Sequence, residues 1–468
     1  MSLLKKLAGE TAIYGLSSIL SRLLNYFILV PFLTRLFLPA EYGIISELYT
    51  YIALLMVLFT YRMETTFFRF GSRGDSLDKA FSTASISLIA SGVVFGALLL
   101  VFSAEIAGFL QYPGHADYVI WASLILLFDT FVAIPFARLR LINRPIRFAL
   151  IKTLNILVNI FFVFFFLKAC PYLIDQGYEG LRLIYDADNQ IVYVFIANLM
   201  GSFSSFLLLL PAFNQIKWRF DRTLWRKMLT YALPLVIAGI AAVINQLINL
   251  PLLKNLLPYS LEENLQQVGI YSACYKLAIL MNLFIQAFNY AAEPFFFRHS
   301  QREDARNIYG RVGQAFALVG SLVFLGIMLY LDIVALFIGQ AFRAGLGIVP
   351  ILLLAFWCLG LFYNFSIWFK LKDRTIFGAY IAIGGAVITL VLNILLIPQI
   401  GYMGSAWAAL ACYAFMAAAS YWTGQRYYPI AYPIGRMFLY IGLALAIYGI
   451  SRWIHWYFHP SLWPFLAM

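Results

Sequence analysis

The sequence predicts an all-α polytopic membrane protein: two six-helix lobes related as a parallel repeat, followed by a C-terminal helix or helices. Three observations carry that prediction. The composition is 63% apolar and 12% charged, with mean hydropathy +0.84. Apolar runs of about 20 residues, the length a bilayer requires, follow one another along the chain. Basic residues alternate in abundance from loop to loop. Soluble domains are nearer half apolar and a quarter charged. The composition therefore excludes a water-soluble enzyme, and also disordered, collagenous and disulfide-stapled chains.

At about 36 residues per helix plus loop, the chain holds roughly 13 spans. Thirteen apolar runs bounded by charge, Pro or Gly qualify: 9–34, 42–62, 80–108, 118–141, 147–168, 192–213, 228–254, 267–297, 308–330, 346–369, 375–398, 404–425 and 434–453. They are apolar all round rather than alternating, which excludes a β-barrel. The first run follows Lys5 and Lys6 and imitates a signal peptide. It is too long for one and has no small-residue cleavage site, so it reads as an uncleaved first span.

The net charge of +12 is mostly a topology signal. Loops on one side hold 25 of the 33 Lys and Arg residues, among them Arg69, Lys79, Arg138, Arg140, Lys152, Lys217, Arg219, Arg222, Arg306 and Lys372. The other side holds Arg35, Lys168, Arg182, Lys254, Arg343 and Arg452. Short loops rich in Lys and Arg stay in the cytoplasm, so the N-terminus is expected there, in a cytoplasmic (inner) membrane. A charge spent on topology is not a nucleic-acid footprint, and no nucleic-acid partner is expected.

An internal repeat organises the spans. Asn25 precedes Pro31 by six residues in span 1, as Asn245 precedes Pro251 in span 7. Tyr42-Gly43-Ile44-Ile45-Ser46 matches Val268-Gly269-Ile270-Tyr271-Ser272. Glu64-Thr65-Thr66-Phe67-Phe68-Arg69 matches Glu293-Pro294-Phe295-Phe296-Phe297-Arg298, and Asn159 and Asn393 occupy comparable places in spans 5 and 11. A repeat of six spans preserves orientation, so the halves are related by an axis along the membrane normal. The expected units are residues 1–216 (spans 1 to 6), 217–427 (spans 7 to 12) and 428–468 (span 13 and part of a fourteenth).

Polar side chains inside spans are expensive and mark cavities or partners. Ser18, Arg22 and Asn25 share one face of span 1. Span 7 carries Asn245, Gln246 and Asn249. Span 8 carries Ser272, Tyr275, Asn282, Gln286, Asn289 and Glu293 on one stripe, with Lys276 beside it. The expected substrate-binding residues are Arg22, Asn25, Lys276, Asn245, Asn249, Gln286 and Asn289: two cations for an anion, and amides for hydroxyl-rich ligands. The bland alternative for each amide is a helix–helix hydrogen bond. Asp129 in span 4 and Glu47 in span 2 are the acids expected to couple an ion. A counter-ion role competes for both: Glu47 toward Arg22, and Asp129 toward Arg22 or another buried base. Arg35 and Lys254 are expected to snorkel at outer helix ends.

Other motifs are weak. Asp186-Ala187-Asp188 sits in a loop too short for a nucleotide pocket. Cys170, Cys274, Cys358 and Cys412 show no ligand spacing, and His455 and His459 lack a third ligand. No P-loop is present, and no cofactor or metal is expected.

Two stretches carry a family resemblance. Pro31-Phe32-Leu33-Thr34-Arg35-Leu36-Phe37-Leu38-Pro39-Ala40-Glu41-Tyr42-Gly43 resembles the span 1–2 turn of the polysaccharide flippases. Asn393-Ile394-Leu395-Leu396-Ile397-Pro398-Gln399-Ile400-Gly401-Tyr402-Met403-Gly404-Ser405-Ala406-Trp407 resembles their span 11–12 turn. Those proteins form the polysaccharide transporter branch of the multidrug/oligosaccharidyl-lipid/polysaccharide exporter superfamily. The resemblance implies a non-enzymatic, O-antigen flippase-like carrier. It would move a polyprenyl-diphosphate-linked oligosaccharide between leaflets, with a proton or sodium gradient as its drive. Membrane lipid, a glycan polymerase and a chain-length regulator are the partners it implies, and Arg22 and Lys276 fit the family's cationic cavity. The family commonly has fourteen spans, and only about 15 residues follow span 13 here. The alternatives are a multidrug/ion antiporter of the same fold and a membrane glycan polymerase or ligase.

Overall fold

The computed structural model describes residues 23–24, 26–72, 77–299, 303–372, 374 and 376–458, and every regular element among them is helical. In hydrocarbon an open strand edge has no partner, so helices that bond their own backbone are the economical solution. Twelve helices among the described residues are long and apolar enough to cross a membrane, and a shorter apolar helix precedes them.

That shorter helix is α1 (Tyr26–Leu36). Next come α2 (Pro39–Thr60), α3 (Met63–Gly71), α4 (Leu77–Val101), α5 (Ser103–Phe109), α6 (Ala116–Leu141), α7 (Pro145–Phe164), α8 (Cys170–Asp175) and α9 (Gln190–Phe213). Then follow α10 (Arg222–Leu247), α11 (Asn249–Leu256), α12 (Leu261–His299), α13 (Ala305–Leu329), α14 (Leu331–Ala335), α15 (Val349–Phe365) and α16 (Ile367–Leu371). The last three are α17 (Ile376–Ile400), α18 (Tyr402–Tyr427) and α19 (Ile434–Phe458). The stretch read as part of a fourteenth span, and His459, lie outside the described residues.

Local chemistry explains the ends. Pro39 opens α2, where its missing N–H is harmless, and the Leu38 N–H donates to Glu41 Oε2 at 2.8 Å. Ser260 and Glu263 form a reciprocal capping box before α12: the Ser260 N–H donates to Glu263 Oε2, and the Glu263 N–H donates to Ser260 Oγ. Asp221 caps α10 by accepting from the Leu224 N–H at 2.9 Å. That bond and the nearby Lys79 ammonium hold the Asp221 carboxyl below the usual carboxylate range.

Three helices differ from the expected spans for physical reasons. The run 228–254 is two helices, because Pro251 supplies no N–H to Leu247 and its ring crowds that carbonyl. Run 42–62 continues past a break at Tyr61 and Arg62, both left-handed (φ 31° and 55°), into α3. Run 267–297 is the 39-residue α12. At 1.5 Å per residue it is about 58 Å long, roughly twice the hydrocarbon thickness.

Packing divides the chain into two compact units. Of the described residues, the first takes those up to Leu29 and those within Leu48–Ile240, and the second takes Val30–Glu47 and those from Ala241 onward. Helices α1, α2 and α10 therefore each pass from one unit to the other. The first unit packs α4, α6, α7 and α9 on one another. Part of its core is Met63, Phe67, Phe81, Leu88, Ile134 and Met228. The second centres on α15, which packs on α12, α13 and α18 and buries Trp357. Small residues let helices close up: Gly404 of α18 lies against Leu396, and Gly385 against Cys412 and Met416.

Within the second unit, α2 and α12 meet through residues that the repeat equates. An added Cβ on Gly43 would sit 2.2 Å from the Leu265 carbonyl oxygen, and one on Gly269 would sit 1.9 Å from that of Pro39. The Ser272 hydroxyl donates to Ser46 Oγ at 2.8 Å one turn later. Equivalent residues facing one another are the signature of a local two-fold contact.

Gly269→Ala is expected to destabilise the detergent-solubilised protein by about 1–3 kcal/mol through overpacking. Gly326→Ala, on α13 with nothing within 4 Å of an added Cβ, is expected to be neutral or to stabilise by about 0.5–1 kcal/mol. Thermal unfolding checks both signs.

Candidate functional site

The polar residues of the second unit converge on one buried network. Asn249 Nδ2 donates to Tyr271 OH at 2.9 Å, and its Oδ1 accepts from Asn393 Nδ2 at 3.0 Å. Asn393 Nδ2 also donates to the Thr389 carbonyl, while its Oδ1 accepts from Ser405 Oγ at 2.8 Å. Thr389 Oγ1 donates to Asn245 Oδ1, and Asn245 Nδ2 donates to the Ala382 carbonyl. Asn245, Asn249 and Asn393 are all buried. Their amides join α10, α11, α12, α17 and α18, which gives Asn245 and Asn249 the placement of interhelical joints. Ile381, Gly385, Thr389, Asn393 and Ile397 are buried at steps of four along α17, while Val387, Val391 and Ile394 are exposed.

Lys254 was expected to snorkel, and the structure corrects that. Its Nζ lies 3.1 Å from Glu47 Oε2, with the two side chains 1% and 0% exposed. Two features explain why it stays inside. The turn after α11 is closed by Asn264, whose Nδ2 donates to the Lys254 and Leu257 carbonyls. A carboxylate buried on α2 also needs a cation that can follow it into the apolar interior. Lys254 is thus a counter-ion of Glu47 that the sequence did not name, while Arg22, the partner it did name, lies outside the described residues. Glu47 is the last residue of α2 in the second unit, and Leu48 opens the next segment of the first. Arg35, in contrast, is exposed and donates from Nη2 to the Leu336 carbonyl at 2.8 Å.

Lys276, Gln286 and Asn289 are half-buried on α12. Lys276 and Gln286 stand ten residues apart and Asn289 one turn beyond, so the helix spreads them over about 20 Å. Arg22 and Asn25 lie outside the described residues.

The first unit holds the other acid. Asp129 on α6 is within hydrogen-bonding reach of Ser202 on α9 and in the field of Lys152 on α7. Lys152 also stands 4.3 Å over the Phe136 ring. Tyr49 feels the same carboxylate and accepts from Asn198 Nδ2 at 2.9 Å. The base beside Asp129 is therefore one the sequence had counted among the loop cations.

Sequence reasoning passed over Arg62. The left-handed break before α3 turns it onto α10, where Gly239 leaves the space: a Cβ there would meet the guanidinium at 2.6 Å. Other cations of this unit lie on rings: Arg69 over Tyr231, Arg138 over Phe81, Arg140 over Phe68. No sequence signal marked Arg62, because a left-handed non-glycine residue has no local motif. In Asp186-Ala187-Asp188 the Asp186 carboxylate is used locally, accepting from the Asp188 N–H at 3.0 Å. The four cysteines are free thiols.

Comparisons with known proteins give this arrangement a family and a fold. The profile of a family described as polysaccharide biosynthesis protein matches residues 7–300. The lipid II flippase MurJ, in an inward closed conformation, is similar in fold: 14% identity, TM-score 0.71, with 93% of this chain and 91% of that one covered. Two structures of a multidrug resistance MATE family transporter of the MOP superfamily are similar as well. The inward-facing one has 13% identity and TM-score 0.65, covering 89% of this chain and 94% of that one. The outward-facing one has 13% identity and TM-score 0.61, covering 90% and 95%. No curated protein matches. With its matched region spanning well over half its length, the chain belongs to the polysaccharide biosynthesis protein family and is a multi-pass membrane protein with the fold shared by MATE transporters and the MurJ flippase.

Proposed function

We propose that this protein flips a polyprenyl-diphosphate-linked oligosaccharide, an O-antigen or capsule repeat unit, from the inner to the outer leaflet of the cytoplasmic membrane. The observation that carries the reading is family membership over residues 7–300 on a fold shared with a lipid II flippase. In this reading the N-terminus is cytoplasmic and the basic loops face the cytoplasm. The diphosphate is received by Arg22 and Lys276, with Asn25, Gln286 and Asn289 toward the sugar hydroxyls. The prenyl tail stays in lipid. Alternating access follows from rocking of the two units, for which the shared helices α1, α2 and α10 are the connecting elements. A proton or sodium gradient drives the cycle, with Asp129 or Glu47 as the acid that takes the ion.

The second reading, a multidrug/ion antiporter of the same fold, needs a carboxylate free for a cationic drug. Glu47 is held by Lys254, and Asp129 lies in the field of Lys152. The Glu47–Lys254 pair leaves one carboxylate fewer for a cationic drug.

The direct test is complementation. In a strain lacking the gene, lipid-linked glycan should accumulate at the inner leaflet, and the wild-type gene should clear it. Arg22→Ala and Lys276→Ala should each lower surface glycan about tenfold or more, with Arg22→Lys milder. Wild-type glycan from both alanine variants would remove the anion site. Asp129→Asn should abolish gradient dependence in reconstituted vesicles, and transport that stays equally gradient-dependent would exclude this carboxylate. For the ion pair, Glu47→Gln alone or Lys254→Met alone should cost about 3–5 kcal/mol in thermal unfolding. Glu47→Leu combined with Lys254→Met should recover most of that stability yet export poorly. Wild-type export from the double variant would leave the pair a structural role only.

A further inference from the structure

At the end of the first unit where α4 and α10 begin, two cavities adjoin and differ in character. One, of about 790 Å³, is lined by Asp78, Lys79, Ser82, Lys217, Arg219, Phe220, Asp221 and Arg222, with Leu77. The other, of about 560 Å³, is lined by Leu58, Tyr61, Ile86, Ser87, Ala90, Ser91, Phe95, Phe220, Trp225 and Leu229. Phe220 belongs to both.

The first cavity is cationic. Its two carboxylates are engaged: Asp221 with Lys79 at 3.2 Å, and Asp78 with Lys217 at 3.0 Å and Arg138 at 3.3 Å. Arg219 and Arg222 are exposed and have no carboxylate within ion-pair distance among the described residues. The described lining therefore carries two guanidinium charges beyond its carboxylates. Guanidinium groups bind a phosphate through paired N–H donors.

The second cavity is apolar, and its few polar groups are occupied by one another. Trp225 Nε1 donates to Ser87 Oγ at 2.8 Å, Tyr61 OH shares a hydrogen bond with the same oxygen, and Ser91 Oγ donates to the Ser87 carbonyl at 2.9 Å. What remains is hydrocarbon and ring surface. Leu58 and Phe95 are exposed at its edge, as are Val93, Val94 and Leu98 on the same stretch of α4. The connecting segment runs Lys217-Trp218-Arg219-Phe220 without regular structure. Trp218 is 70% exposed and Phe220 46%. Aromatic side chains alternating with cations are suited to a membrane–water interface, with rings at headgroup depth and charges beside the phosphates.

We propose that this pair of cavities is a binding site for an anionic phospholipid. The phosphate sits on Arg219 and Arg222, and an acyl chain lies past Phe220 in the groove of Leu58, Phe95, Trp225 and Leu229. Charge complementarity selects the head and the apolar groove selects the tail, so neither a free phosphate nor a zwitterionic lipid satisfies both halves. None of its residues is among those assigned to the cargo, and the site does not depend on what the protein carries.

The test uses the full-length protein in neutral detergent, read by thermal unfolding against added lipid. Phosphatidylglycerol should raise the unfolding temperature, while phosphatidylcholine and glycerol phosphate should not. Arg219→Ala with Arg222→Ala should raise the half-effect concentration of phosphatidylglycerol about tenfold or more. Ala90→Trp, at an exposed groove position, should do the same by filling the tail site. Arg219→Lys with Arg222→Lys should lose less, which separates charge from misfolding. Arg226→Ala with Lys227→Ala removes two exposed cations outside the cavity and should change little. An equal loss in that control would mean diffuse surface attraction and overturn the proposal. So would an unchanged response in the Arg219/Arg222 alanine pair, an equal response to glycerol phosphate, or displacement by polyprenyl phosphate at a tenth of the phosphatidylglycerol concentration. The last result would assign the cavities to a carried lipid instead.

Discussion

A carboxylate and an ammonium in an apolar interior are tolerable only together, and the Glu47–Lys254 pair sets much of what surrounds it. Each group alone would carry a desolvation penalty of several kcal/mol. The pair therefore requires α2 and α11 to stay in register. That register depends on a close approach that only glycine permits. Gly43 and Gly269 bring the backbones of α2 and α12 into contact, and Ser46 and Ser272 close the next turn with a hydrogen bond. Asn264 then ties off the carbonyls at the end of α11, so the lysine backbone is held while its side chain is drawn inward.

The same constraint organises the amides. In the hydrocarbon region an unpartnered Asn is costly, and Asn245, Asn249 and Asn393 avoid that by bonding to one another and to Thr389, Tyr271 and Ser405. Five helices are linked by this route. It lies in the second unit and belongs to the packing that would let such a unit move as a body. The first unit uses different means. Several of its cations lie on aromatic faces, and its half-buried acid, Asp129, has Lys152 nearby. The second unit thus neutralises the carboxylate it buries, and in the first the unpaired guanidinium charge of Arg219 and Arg222 is exposed.

Particular residues show how far the sequence could be read. Most apolar runs fell on helices of the described residues, because a bilayer demands length and hydrophobicity and little else. Pro251 lay inside a run read as one span, although its missing N–H and its ring favour a break there by local chemistry alone. The repeat was legible in Gly43 and Gly269, though not the fact that the two glycines touch. Lys254 was misread, because an outer-end lysine and a buried one look the same until a partner is placed. Asn245 and Asn249 were legible as a polar stripe, but a stripe facing a cavity and a stripe facing another helix have the same spacing.

The sequence by itself determined the class of protein, the places of most of its spans and its family resemblance. These follow from composition, run length and local motifs, all of which are additive along the chain. Only the tertiary structure decided which buried charges are partners, which amides are joints, and that Val30–Glu47 packs with helices more than two hundred residues away. Those outcomes depend on distances between segments far apart in the chain. In an all-round apolar helix no hydrophobic periodicity announces the inner face, so small and polar residues take their meaning from the neighbour they meet.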